Sequence, residues 1–360
     1  MEQRSSDVLE RGDPAPWFRA SALSGNSDYT FSTVAGRHVL LLFFASAARS
    51  EARAALDLVL ADRPLFDDVQ ACFFGVTSDP EDASAGRICQ DIPGIRYFLD
   101  YDRHIGTLYG AAGPAGDRPQ WVLLSPSLQV LGRFALADGR AAMAMLRAEL
   151  SAPLDGWAPV LLVPNVLSSD RCAELIARFR SDGGEESGFT RDVGGRTFNL
   201  FDPSHKRRRD WTIDDPALRQ SLVEDLRRHL ATPIHRAFQF NATRIERYIV
   251  SCYTAGAGHF RPHRDNTTKG TAHRRFAVTI NLNAGEFDGG DLRFPEFGQR
   301  TYRAPTGGAI VFSCSLMHEA TPVTRGSRYA FLPFLYDEAA AKLREQNNRF
   351  LGKGLAAYRR

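Results

Sequence analysis

Tyr253-Thr-Ala-Gly-Ala-Gly-His-Phe-Arg-Pro-His-Arg-Asp265 carries a phenol at one end and, at the other, an imidazole and a carboxylate two residues apart. On a strand, residues i and i+2 share a face, so His263 and Asp265 can reach one ion. A second imidazole, His318, follows the apolar run Gly308-Ala-Ile-Val-Phe-Ser313. Around these residues, from Arg244 to Tyr336, the chain is a series of short strand-like stretches punctuated by Gly, Pro and Asn, with no clear helix. That pattern predicts a double-sheet β-sandwich or jelly roll.

A lone His-x-Asp is weak evidence, because surface residues produce it by chance. The surroundings strengthen it. Two imidazoles and one carboxylate on one face of an octahedron leave three positions open, the arrangement of non-haem Fe(II) oxygenases. Arg328 lies ten residues beyond His318, and Tyr253 ten residues before His263. On regular strands these even offsets let a guanidinium and a phenol point into the same space and hold a carboxylate. Thr279 and Asn281 alternate with Val278, Ile280 and Leu282, so two polar groups share one face of an apolar strand. A small dicarboxylate would give that face a partner.

Taken together, Tyr253…His263-x-Asp265…Arg275…Asn281-Leu-Asn283…Gly289-Gly-Asp-Leu-Arg-Phe-Pro295…Pro305-x-Gly-Gly308…His318-Glu-Ala-Thr-Pro-Val323…Gly326-x-Arg328 resembles the catalytic domain of prolyl 4-hydroxylase-like Fe(II)/2-oxoglutarate-dependent dioxygenases. The resemblance covers roughly residues 159–337 and implies a double-stranded β-helix. It implies His263, Asp265 and His318 as iron ligands, with Arg328 and Tyr253 on the distal carboxylate of 2-oxoglutarate and Asn281 and Thr279 as further co-substrate contacts. It implies Fe(II) as cofactor, 2-oxoglutarate and O2 as co-substrates, and ascorbate as reductant. The reaction so implied is oxidative decarboxylation to succinate and CO2 coupled to substrate hydroxylation. Related halogenases have a small residue at the position of Asp265, so a carboxylate there argues for hydroxylation.

Outward from this segment, 360 residues exceed one ordinary domain and predict two. The 43% hydrophobic content is enough to bury real cores. A net charge of +3 is too near balance to imply a polyanionic partner. The residues from Met1 to Asp13 lack the apolar stretch of a secretory signal, and the most apolar run, Val39 to Ala45, is too short to span a bilayer. Five scattered cysteines form no CxxC pair, which fits a reducing cytoplasm. The break falls at Ser151-Ala-Pro-Leu-Asp-Gly-Trp-Ala-Pro159, after a helix-like run. The expected layout is a first domain over 1–150, a linker over 151–160, the oxygenase domain over 161–337, and a C-terminal helix with a basic tail over 338–360. Helices are expected at Ser169–Arg180, capped by Ser169-Asp170, and at Pro216–Leu230.

Before the break, strand-like runs at Val39–Phe44, Ala71–Val76 and Trp121–Leu124 alternate with helical stretches at Glu51–Leu60 and Arg140–Leu150, predicting an α/β layer with a partly parallel sheet. Gly12-Asp-Pro-Ala-Pro-Trp-Phe18, then Val39-Leu-Leu-Leu-Phe-Phe44 and Pro119-Gln-Trp-Val-Leu-Leu-Ser-Pro126, resemble peroxiredoxin and thioredoxin-like domains. In that family the redox thiols follow the first long strand, at a helix N-terminus that favours thiolate. Here the segment reads Ala45-Ser-Ala-Ala-Arg-Ser-Glu-Ala-Arg53, with Ala48 and Glu51 at the two cysteine positions. The domain is therefore expected to be redox-inactive, serving scaffolding, substrate presentation or homodimer formation. Cys72 is expected in the core, and Cys89 has no partner.

The remaining features read as structure. His259 is expected at the pocket rim or in a structural role, and His273 on a solvated loop. Gly289-Gly290 reads as a turn requiring φ > 0. Cys252 and Cys314 are expected to point away from the metal. His205-Lys-Arg-Arg-Arg-Asp-Trp211 reads as a mobile, solvated loop near the site entrance, so nucleic acid is disfavoured as a partner. The expected substrate is a peptidyl side chain, possibly prolyl in the family's manner, or an amino-acid-like molecule. The alternatives are a small-molecule oxygenase of secondary metabolism and a non-catalytic adaptor.

Overall fold

The computed structural model describes residues 9–152 and 156–359. The chain divides into two compact units, residues 1–156 with 295–298, and residues 157–294 with 299–360. Of the linker expected at 151–160, positions 153–155 lie outside the described residues, as do the first eight residues of the polar N-terminus and Arg360.

The first unit is built on the His38–Ala45 strand, which pairs parallel with Ala71–Thr77 and antiparallel with Gln120–Leu124. Covered on both faces, it reads as a continuous apolar run rather than an alternating one. Ile95–Leu99 extends the parallel side, and Val130–Ala135 closes the antiparallel edge. Helices Ser50–Ala61 and Gly139–Ser151 bring Ala52, Leu56, Val59, Ala142 and Leu146 onto a core with Leu40, Phe44, Phe73 and Trp121. This mixed sheet with flanking helices is the α/β thioredoxin-like arrangement expected from the sequence. At the turn after the first long strand, Ser46 Oγ donates to Asp79 at 2.6 Å and the Ala47 N–H donates to buried Asp82 at 2.9 Å. Cys72 is buried, its thiol pushed up to about 12 by desolvation, and Cys89 is exposed.

The second unit opens with helices that cover one face of a sheet. Ser169–Asp182 is capped by the Ser168 side chain, which accepts from the Arg171 N–H, so the cap sits one residue earlier than expected. Pro216–His229 is capped by Asp215. A further helix follows, Ala231–Phe238, which the sequence reading did not separate. Its Pro233 lies in the first turn, where a missing N–H has no intrahelical partner to lose.

Beyond them lie two β-sheets. The larger runs in the order 161–163, 309–313, 276–281, 327–331, 249–254, 209–212, 185–186, with 334–336 also pairing 276–281. The smaller runs 206–207, 259–263, 318–320, 292–293, 301–302. Residues from both sheets line one cavity of about 60 Å³. This is the jelly-roll, double-stranded β-helix layout. The helices pack Leu175, Phe179, Leu222 and Ile234 against Val250, Val278, Ile280 and Phe331 on the outer face of the larger sheet. The residues that alternate with these, such as Thr279 between Val278 and Ile280, point the other way, toward the cavity. Gly289 and Gly290 adopt φ of 68° and 66°, as expected, but at an irregularity of the short Asp288–Gly289 strand rather than at a turn. No helix among the described residues is long and apolar enough to cross a membrane.

Candidate metal centre and co-substrate pocket

The smaller sheet supplies the imidazoles. His263 ends one strand and His318 begins the next, and the two are register partners in an antiparallel pair. Asp265 follows two residues after His263, its backbone N–H donating to the Cys314 carbonyl at 3.0 Å. The three side chains offer ligand atoms that all lie within 4.8 Å of one another. His263 Nε2 stands 3.6 Å from one Asp265 oxygen, and His318 Nε2 stands 3.3 Å from the other.

Protonation decides what this cluster can hold. His263 Nδ1 faces the Arg261 carbonyl at 2.8 Å and His318 Nδ1 faces the Leu316 carbonyl at 3.0 Å. A carbonyl only accepts, so each Nδ1 carries a hydrogen, and each Nε2 is the nitrogen left facing Asp265 and free to ligate. Burial, with His318 beside it, pushes His263 down to about 4, so its ring is neutral at pH 7. Burial alone would raise Asp265, but His318 and His263 outweigh it and hold the carboxyl below the usual range. Lone pairs on buried nitrogens and an ionised carboxylate thus converge, and a cation is the group that satisfies them. The donor set fits Fe(II) by its chemistry. Phe260 stacks on His263, ring centroids 3.4 Å apart, and Phe312 meets His318 edge-on at 4.6 Å.

Across the cavity, the larger sheet supplies the groups expected to hold a carboxylate. Tyr253 and Arg328 are register partners on adjacent strands. The Arg328 guanidinium is 3% exposed, and its one hydrogen bond, from Nε to Asn281 Oδ1, is long at 3.4 Å. Among the described residues, no carboxylate lies within ion-pair distance of it. Burial pushes its pKa down. Thr279 lines the cavity, whereas Asn281 does not. Asn281 donates to the Ala304 carbonyl and accepts from Arg328 at 3.4 Å, so both ends of its amide are engaged within the protein.

Two expectations about charged segments are overturned. His205–Trp211 is not a solvated loop. Lys206–Arg207 pairs in the smaller sheet, Arg209–Thr212 pairs in the larger, and Lys206 and Arg208 are 3% and 7% exposed. Arg208 and Arg247 line the cavity, and the sequence reading assigned neither a role. The signal was present as alternation: Lys206, Arg208 and Asp210 occupy every second position, the spacing of one strand face. His273 is likewise buried, bonded through Nε2 to Glu246 at 2.6 Å, while Arg274 holds the same carboxylate through two bonds. Arg274 also reaches the Asp265 carbonyl at 3.3 Å, tying the ligand loop to the sheet. His259 is held by the carbonyls of Ala257 and Ser204, a structural role. Cys252 packs in the core behind the larger sheet.

A jelly roll with two imidazoles and a carboxylate around one point, opposite a buried guanidinium, defines the metal-dependent oxygenase class of β-fold. Residues 248–336 match the family model of the 2OG-Fe(II) oxygenase superfamily, a stretch that includes both imidazoles, Asp265, Tyr253 and Arg328. A PKHD-type hydroxylase of Synechococcus sp. strain JA-2-3B'a(2-13) is 35% identical over 92 residues, 24% of this chain and 41% of the relative. The chain thus spans about two fifths of that relative's length. Among solved structures, a Pseudomonas putida prolyl-4-hydroxylase is 19% identical, covering 50% of this chain and 94% of that one at a TM-score of 0.38. A variant of Xanthomonas campestris peroxiredoxin Q is 21% identical, covering 41% of this chain and 100% of that one at a TM-score of 0.33.

Proposed function

We propose that the second unit is an Fe(II)- and 2-oxoglutarate-dependent dioxygenase that hydroxylates its substrate. One observation carries the reading. One cavity holds three converging metal-ligand atoms and, opposite them, a buried guanidinium that has no carboxylate partner among the described residues. Iron would be held by His263 Nε2, Asp265 and His318 Nε2. When bound, iron and 2-oxoglutarate use dioxygen to release succinate and CO2 and put one oxygen atom into a substrate C–H bond.

The protein's own residues do the remaining work. The carbonyls of Arg261 and Leu316 fix both imidazole tautomers before metal binds. Arg328 would take the distal carboxylate of 2-oxoglutarate, gaining the counter-ion it lacks, and Tyr253 and Thr279 would flank it. Phe260, Leu292, Phe312 and Ala320 line the metal side with apolar surface and exclude water from the reacting centre. Ascorbate would serve as external reductant. The first unit, with Ala48 and Glu51 where thiols would be needed, would act as a redox-inactive scaffold.

The substrate class proposed is a peptidyl side chain, prolyl included, or an amino-acid-like molecule. The test is mass spectrometry of peptide libraries and cell extracts after incubation with the enzyme. A gain of one oxygen that requires both Fe(II) and 2-oxoglutarate supports hydroxylation. Loss of two hydrogens without oxygen gain would move the reading to the desaturating, small-molecule alternative.

A further inference from the structure

Arg208 forms the one-residue link at which the chain leaves the smaller sheet and enters the larger. A residue at such a corner is carried into the space between the sheets, and Arg208 lines the cavity while being 7% exposed. Its charge is already answered. Nε lies 2.9 Å and Nη2 3.0 Å from the two oxygens of Asp210. Asp210 is itself anchored by Ser251 at 2.6 Å and by Ser187, which also accepts from Lys206 at 2.6 Å. Arg208 therefore differs from Arg328. It is a neutralised guanidinium held in one orientation, not a second site for an anion.

On the other side of the guanidinium, Nη1 donates one hydrogen to the Tyr253 hydroxyl at 2.8 Å. A guanidinium cannot accept, so the phenol oxygen is the acceptor in this bond. The phenol's single proton must then go elsewhere, and among the described residues it is donated to none. Tyr253 lies on the cavity wall, its ring between Arg208 and Arg328 at 5.6 and 5.2 Å.

We infer that Arg208 is a positioning residue for 2-oxoglutarate, acting through Tyr253: its hydrogen bond to the phenol oxygen turns the Tyr253 proton into the cavity, where it meets the distal carboxylate beside Arg328. This inference rests on the co-substrate reading above. It predicts that Arg208 and Tyr253 act on affinity as one unit, with metal binding untouched.

The test is calorimetric titration of 2-oxoglutarate into the full-length protein loaded with Mn(II). Arg208→Met is combined with Asp210→Asn, so that no bare buried carboxylate remains. Tyr253→Phe and the triple variant complete the set. A neutral hydrogen bond of about 1 kcal/mol sets the expected loss for Tyr253→Phe at about fivefold. The double variant should lose about threefold to fivefold, and the triple variant no more than Tyr253→Phe alone, with Mn(II) affinity unchanged throughout. Wild-type affinity in the double variant would overturn the inference. So would multiplicative losses in the triple variant, or an equal fall in Mn(II) affinity. If the double variant does not fold, Arg208→Lys keeps a cation at Asp210 but not the reach to the phenol, and carries the same expectation. A wild-type protein that binds Mn(II) but not 2-oxoglutarate would refute the co-substrate reading itself.

Discussion

Replacing Arg328 with methionine should stabilise the ligand-free protein and weaken its hold on 2-oxoglutarate. The two effects have opposite signs because they concern different states. Without ligand, the guanidinium is 3% exposed and, among the described residues, has no carboxylate partner and only a 3.4 Å bond to Asn281. Substituting an apolar side chain of similar length for buried charge is often stabilising by about 1–4 kcal/mol. Each kcal/mol corresponds to about 2–4 °C in a domain of roughly this size, so a gain of about 2 kcal/mol would raise Tm by about 4–8 °C. With 2-oxoglutarate present, the same guanidinium forms a desolvated charge pair, and losing one partner of such a pair costs about 2–5 kcal/mol. That is about a 30-fold to several-thousand-fold rise in Kd. Calorimetry on the Mn(II)-loaded protein reads the affinity, and a thermal melt without ligand reads the stability. In the melt, 2-oxoglutarate should raise the wild-type Tm and leave the variant unmoved. A ligand-free variant less stable than wild type, together with undiminished affinity, would refute the assignment of Arg328 as an anion anchor.

Further outcomes follow from other sites. Asp265→Ala should abolish 2-oxoglutarate turnover and weaken Fe(II) binding, because it removes the anionic member of the ligand set; near wild-type turnover would show the ligand assignment to be wrong. In the first unit, Asp68 takes two bonds from Arg96 and a contact from Arg37. Burial pushes its carboxyl up, but Arg96 and Arg37 outweigh it, so its pKa is depressed on folding. A depressed carboxyl contributes stability that is present above its unfolded pKa, about 3.9, and is lost as pH falls through the lower folded value. Asp68→Asn should therefore cost about 1–3 kcal/mol in denaturant melts at pH 7 and progressively less below about pH 4, and a cost independent of pH would contradict it. Thiol-dependent peroxide consumption by the full-length chain should not exceed the protein-free background, and robust turnover would restore redox chemistry to the first unit.

What the sequence revealed follows the distinction between local period and long-range partner. His263 and Asp265 were legible because a two-residue spacing fixes a shared side of the chain. Tyr253 and Arg328 were legible from their place in the motif; the ten-residue offsets themselves cross turns and a change of sheet, and it is the pairing of 249–254 with 327–331 that makes the two register partners. The helices were legible from their apolar spacing, except where Ala231–Phe238 follows Pro216–His229 without a breaking residue between them. Arg208 was not, because four consecutive basic residues after His205 look like a solvated run. Burial there depends on Asp210, which neutralises Arg208, and on a change of sheet at that residue. His273 was missed for a similar reason: its partner Glu246 lies 27 residues earlier, and no local spacing links the two. Asn281 shares the side of the strand that carries Thr279, as the alternation required. Their surroundings then separated them, with Thr279 on the cavity and both ends of the Asn281 amide engaged within the protein.

The central claim is that this cavity couples iron to 2-oxoglutarate. Succinate release tests it most directly, because uncoupled turnover needs no knowledge of the true substrate. Incubated with Fe(II), ascorbate, dioxygen and 2-oxoglutarate, the wild-type protein should form succinate slowly, with none from Asp265→Ala. No succinate from the wild type, together with no uptake of Fe(II), would contradict the account and leave the fold as a binding module.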